Sequence, residues 1–140
     1  MTNRHGVRPP GGMSPPARAT LPDGVVVDLH ELATEISSIH LARHPEDLAR
    51  YGAAGRDWCV HDNQHLLNWA VLDVCGAVDF GAHVAWLADV LGSRGYPVAN
   101  LGDDLRTASH VVRRLNSAHA DALAEVLANG VDFIEPPKTA

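Results

Sequence analysis

From Asp28 onward, apolar side chains recur every three or four residues, the repeat of helices with one face turned inward. Leu29, Leu32, Ile36 and Ile39 form the first stripe, and Asp28 followed by Glu31 has the form of a capping box. His44-Pro45 closes that helix, because the residue before proline avoids helical angles. Pro45 suits the first position of a short helix through Leu48 to about Tyr51. Gly52 and Gly55 interrupt the pattern, and a long helix is predicted from about Arg56 to Cys75, with Gly76 at its C-terminal cap. Asp79 can cap the next helix, which runs to about Ser93 and is stopped by Gly95-Tyr96-Pro97. Leu101, Leu105, Ala108, Val112 and Leu115 mark a further helix, and Asn116-Ser117 breaks it. The last helix ends at Asn129-Gly130. Only Val25-Val26-Val27 has strand character, and three residues do not make a sheet. The fold class read from this pattern is all-α, a globin-like or irregular orthogonal bundle of about six helices.

The ends read differently. Residues 1–20 hold Pro9, Pro10, Gly11, Gly12, Pro15 and Pro16, a composition that cannot sustain a helix and offers little to bury. They are expected to be a disordered tail, with 21–135 as the helical domain and 136–140 as a second tail after Pro136. Charge divides at the same place. Arg4, Arg8 and Arg18 lie in the first 20 residues with no acid. Taking those three from eleven basic residues leaves eight against seventeen acids, a formal −9 for the rest. An acidic body repels phosphate backbones, so no nucleic-acid partner is expected. Asp73, Asp79, His83 and Asp89 break the most apolar stretch well short of the ~20 residues of a membrane span. Met1 to Thr20 lacks the apolar core of a secretory signal. Cys59 and Cys75 fall on one predicted helix about 24 Å apart, too far to pair. A reduced, cytoplasmic protein is the expectation.

The chemistry-bearing residues concentrate between Arg56 and Asp73. At helical spacing, Cys59, Asp62 or Asn63, Leu66, Ala70 and Asp73 share one face, while Trp58, His61, His65, Trp69 and Leu72 share the next. If the first face is buried, Asp62 sits beside a thiol and needs a donor, from a ligand, an arginine such as Arg56 or a backbone amide. The bland alternative is that Trp58 and Trp69 fill the core, Cys59 acts as a small apolar group and Asp62 faces water.

Cys59-Val60-His61-Asp62 within a helix, Leu66-Leu67 after it and Gly95-Tyr96-Pro97 downstream resemble the phycobiliprotein pattern of a Cys-x-Arg-Asp helix followed by Gly-Thr-Pro. The likeness covers roughly residues 50–115. It implies a globin-like fold and a linear tetrapyrrole cofactor, with Cys59 as the thioether thiol and Asp62 as hydrogen-bond partner of the pyrrole nitrogens. His61 stands where that family has the arginine that pairs with a propionate. Related globin-like domains serve as cofactor-free sensors.

Nine histidines raise a metal question. His61 and His65, and likewise His40 and His44, are four apart and could share a metal on one helix face. Asp62 with His65 gives one carboxylate-x-x-His element, but a di-iron bundle needs it twice. No metal ligands are assigned, and no phosphate loop, nucleophile elbow or two-cysteine motif marks an enzyme. The function expected is a sensor or regulatory module binding a small hydrophobic ligand, a tetrapyrrole or a lipid, through Trp58, Cys59, His61, Asp62, His65, Leu66 and Trp69. The alternatives are a protein-interaction module, in the simplest case a homodimer, and a metalloenzyme built on His61, Asp62 and His65.

Overall fold

Asp28 accepts a hydrogen bond from the Glu31 amide at 2.9 Å, and this cap starts helix α1 (Leu29–Arg43). In the computed structural model, which describes residues 14–134, four further helices follow. They are α2 (Pro45–Val74), α3 (Phe80–Ser93), α4 (Val98–Val112) and α5 (Ala120–Asn129), closed by a 3-10 turn at Gly130–Phe133. His44 is the only residue between α1 and α2, and its extended φ of −127° turns the chain into Pro45. α1 packs mainly on α2 and α4 on α5, while the 3-10 turn sits against α3. The described residues are therefore mostly helical, as the periodicity predicts. No helix among them is long and apolar enough to cross a membrane.

Three details depart from the pattern. The short and the long predicted helices meet directly at a kink at Gly52, with no loop between them, and so form the single element α2. The Gly52 φ of 66° and ψ of −151° lie where a side chain is strained, and the helix resumes at once, with Gly55 inside it. The inward face of α1 is rotated from the predicted stripe: Leu29, Ala33, Ile36, Ser37, His40 and Leu41 are buried, whereas Ile39 is exposed. α4 stops at Val112, and Arg114 and Leu115 close tighter turns onto Val111 and Val112.

The expected tail also ends earlier than residue 20, and the valines do find a partner. Strand β1 (Arg18–Thr20) pairs antiparallel with β2 (Val26–Asp28), with Ala19 opposite Val27. Leu21 and Val27 are buried under this hairpin, and Gln64 on α2 donates to the Pro16 carbonyl at 2.8 Å. Main-chain bonding and two anchors hold β1, so no alternating pattern announced it. The expectations for residues 1–13 and 136–140 lie outside the described residues.

Candidate functional site

Along α2, Tyr51, Gly55, Trp58, Cys59, Asp62, Asn63 and Leu66 recur at three- and four-residue steps, so they form one stripe. That stripe does not meet a neighbouring helix at full contact. It borders a hollow of about 420 Å³, closed by His40 and Leu41 of α1, Leu91 and Arg94 at the end of α3, Tyr96, and Leu101 and Asp104 of α4. Gly95 places the Tyr96 ring there. With φ of 81° it ends α3 in a turn that returns the Tyr96 amide to the Leu91 carbonyl at 3.0 Å.

The walls are largely apolar, but the side formed by α1 and α4 is a polar network buried with few charges to balance it. The Tyr96 hydroxyl donates to Asp47 Oδ2 at 2.8 Å, and Asn100 Nδ2 donates to Asp47 Oδ1 at 3.2 Å. His40 Nε2 lies 3.3 Å from both Asp47 Oδ2 and the Tyr96 oxygen. Deeper in, Asn63 Nδ2 donates to Asp104 Oδ1 and to Ser37 Oγ, each at 3.1 Å. With Nδ2 on both oxygens, Asn63 Oδ1 is buried without a hydrogen-bond partner. His40 and Asn63 are each 1% exposed and Asp104 is 5% exposed, so these groups have exchanged water for one another.

Burial sets their protonation. It pushes Asp104 up to about 7, helped by the fields of Asp62 and Asp103 and opposed by the Asn63 hydrogen bond. Burial holds His40 below its ordinary range, so the neutral imidazole is favoured. It also raises the Cys59 thiol far above its ordinary value, with Asp104 adding to the effect, and the Tyr96 hydroxyl likewise. Cys59 is thus a poor nucleophile here. Outside the hollow, burial pulls His44 down, but hydrogen bonds to Asp103 and Glu46 outweigh it and hold the imidazole above its usual range.

Of the seven residues named from sequence, Trp58, Cys59, Asp62 and Leu66 border the hollow. His61, His65 and Trp69 do not. They form a ring stack along the adjacent face, His61 edge-on to His65 at 5.0 Å, His65 to Trp69 at 5.6 Å and Trp69 to His83 of α3 at 5.1 Å. His61 Nδ1 and Asp62 Oδ1 stand 3.9 Å apart, and these two with His65 form no convergent three-ligand group among the described residues. Both cysteines are free. Sequence reasoning missed His40, Asp47, Tyr96, Asn100 and Asp104 as parts of one site. The signal was present for two of them: His40 lies four residues after Ile36, and Asp104 lies within the Leu101–Leu105–Ala108 stripe. A polar residue in an apolar position is the informative kind.

No family model, no curated protein and no solved structure matches this chain.

Proposed function

We propose that this protein is a small-molecule-binding module of the regulatory type, and that the hollow beside α2 is where its ligand sits. One observation carries the reading: a largely apolar hollow of about 420 Å³ bordered by a few buried polar groups, among them the Asn63 side-chain oxygen with no hydrogen-bond partner. Ligand pockets run from ~300 to ~1,000 Å³, mostly apolar with a few convergent polar groups. Asn63 Oδ1 is buried with no hydrogen-bond partner, and Asn63 Nδ2 donates to the buried Asp104 at 3.1 Å. These groups accept, so the matching ligand presents an N–H or O–H, either as an amine or as ring nitrogens. Beside Asp62 a carboxylate or phosphate head would meet like charge.

A hollow toward the lower end of that range suits a ligand of two or three rings. A four-ring tetrapyrrole is larger and needs the hollow to widen. The thioether that the phycobiliprotein likeness implies is disfavoured by the raised Cys59 thiol, so non-covalent binding is the form proposed. Binding is the activity proposed, and Cys59 is not an activated nucleophile.

The test uses Trp58, whose indole lines the hollow. Matched pairs of aromatic amines and carboxylates, with a linear tetrapyrrole alongside, are titrated while tryptophan fluorescence and Tm are followed. Amines or ring N–H compounds should change the emission and raise Tm, and Trp58→Phe should remove the emission change but keep the Tm shift. The reading fails if no compound in either set moves Tm and mass spectrometry of the denatured protein releases no co-purified molecule.

A further inference from the structure

His40 in the last turn of α1 and His44, the residue that follows that helix, have ring centroids 4.6 Å apart, and α4 faces them with Asp103. One ring nitrogen from each histidine and a carboxylate oxygen of Asp103 all lie within 4.8 Å of one another. His44 Nε2 is 2.7 Å from Asp103 Oδ2, and its other nitrogen, Nδ1, is 3.1 Å from Glu46 Oε2. A metal-bound imidazole is commonly oriented by a carboxylate on its far nitrogen, the position Glu46 holds.

His40 likewise has a carboxylate on one ring nitrogen, that of Asp47, and its contacts set its tautomer. The Tyr96 hydroxyl has one proton and gives it to Asp47. His40 Nε2 therefore faces two oxygens that can accept, and it must carry the imidazole hydrogen. In the neutral ring this leaves Nδ1 as a bare lone pair, and Nδ1 is buried with no hydrogen-bond partner. The charged group recorded beside it is Asp104 Oδ1, 3.7 Å away. A lone pair facing a carboxylate oxygen in a buried site calls for a cation or a proton between them. Charge balance agrees. Asp47, Glu46, Asp103 and Asp104 surround the two imidazoles, and Arg43 pairs with Asp103 Oδ1 at 3.0 Å.

We propose that His40, His44 and Asp103 bind a divalent transition-metal ion, with Asp47 and Glu46 orienting the two imidazoles from behind. Two nitrogens and one oxygen suit Zn²⁺ or Fe²⁺ and leave coordination positions open. Drawing the donors in from 4.8 Å to the ~3.3 Å separation on a tetrahedral zinc asks for rotamer changes at the half-buried His44 and Asp103. Arg43 can stay on the second oxygen of Asp103 as an outer partner. His40 also lines the hollow, so metal and ligand sites would share a wall. The inference goes beyond the ligand-binding reading and does not require it.

The full chain, stripped with a chelator and dialysed, is titrated with Co²⁺ and then with Zn²⁺. One equivalent of Co²⁺ should bind, with visible ligand-field absorption that Zn²⁺ abolishes. His44→Gln and Asp103→Asn should each weaken binding about tenfold or more, while His61→Ala leaves it unchanged. Circular dichroism of the metal-free variants checks their folding. Glu46→Gln, at an exposed side chain outside the core, should cost about tenfold and decides the matter if a ligand variant does not fold. Failure of the full chain to take up Co²⁺ stoichiometrically overturns the proposal. So does uptake undiminished in the folded ligand variants, or in Glu46→Gln where they do not fold.

Discussion

Around Gly130 the molecule has no room for a methyl group, whereas around Asp104 it leaves a hollow open. A Cβ at Gly130 would lie 2.7 Å from Phe80 Cε2 and 3.3 Å from Leu105 Cδ1, beside the fully buried Leu123 and Leu127. Asp104 is the residue just before Leu105 on α4, yet it faces Asn63, His40 and about 420 Å³ of space. One turn of helix thus serves two different purposes. The dry side supplies burial and close packing, which dominate stability. The polar side holds carboxylates among mostly neutral donors, an arrangement that costs stability unless something else joins it.

The largest test of this contrast is Leu105→Ala, which should lose about 2–5 kcal/mol in urea denaturation because its surroundings cannot collapse. Leu66→Ala, on the wall of the hollow, should lose less, about 2 kcal/mol, since water can enter the space. Equal losses would mean that the two sides are packed alike. Next in size, Gly130→Ala should cost about 1–3 kcal/mol by displacing the buried Phe80 ring. Gly81→Ala also meets a ring, that of Phe133, but Phe133 is 58% exposed and free to swing, so the loss should stay under about 1 kcal/mol.

A smaller effect concerns pH in chelator-treated protein. Asp104 titrates at about 7 when folded, against an ordinary 3.8, so the folded state holds this proton more tightly than the unfolded chain. Its stabilising share is complete below the unfolded value and is lost as pH rises through about 7. Asp104→Asn should flatten that decline in Tm and be more stable than the parent at pH 8, by on the order of 1 kcal/mol. His40, held below its ordinary value, acts in the opposite sense and loses stability as pH falls, so the difference between variant and parent isolates Asp104. A decline of the same slope in both proteins would show that Asp104 is not the group responsible. Smallest of all, and without any change in stability, the exposed Cys75 should react with a thiol reagent about tenfold faster than Cys59, or more. Comparable rates would place Cys59 outside the environment described.

Much of the fold is legible because its signals are local. The Asp28 and Asp79 caps, the stop at His44-Pro45 and the Gly95 turn each depend on neighbours within a few residues. Gly52 was readable as an interruption, and its non-helical angles make it one, but the immediate return of the helix after it was not legible. The site was legible along α2 alone. Spacing of 100° per residue sorts Cys59, Asp62 and Leu66 onto one face. Which face stays incompletely covered depends on how α1 and α4 approach, and no periodicity encodes that. Trp58 therefore joins the hollow, while His61, His65 and Trp69 turn to their own stack. The partners His40, Asp47, Tyr96 and Asp104 lie up to 64 positions apart in the chain, and each alone reads as an ordinary polar residue.

The small hairpin ahead of α1 has its own consequence, in the order of folding. Its ties reach far along the chain: Gln64 to Pro16 spans 48 positions, and Ser117 to Asp23 spans 94. Contacts of such long sequence separation repay their loop-closure entropy late, after nearby helices have formed. The clasp should thus be last to fasten and first to loosen, and its amides, Leu21 and Val27 among them, should exchange with solvent deuterium ahead of those in α4.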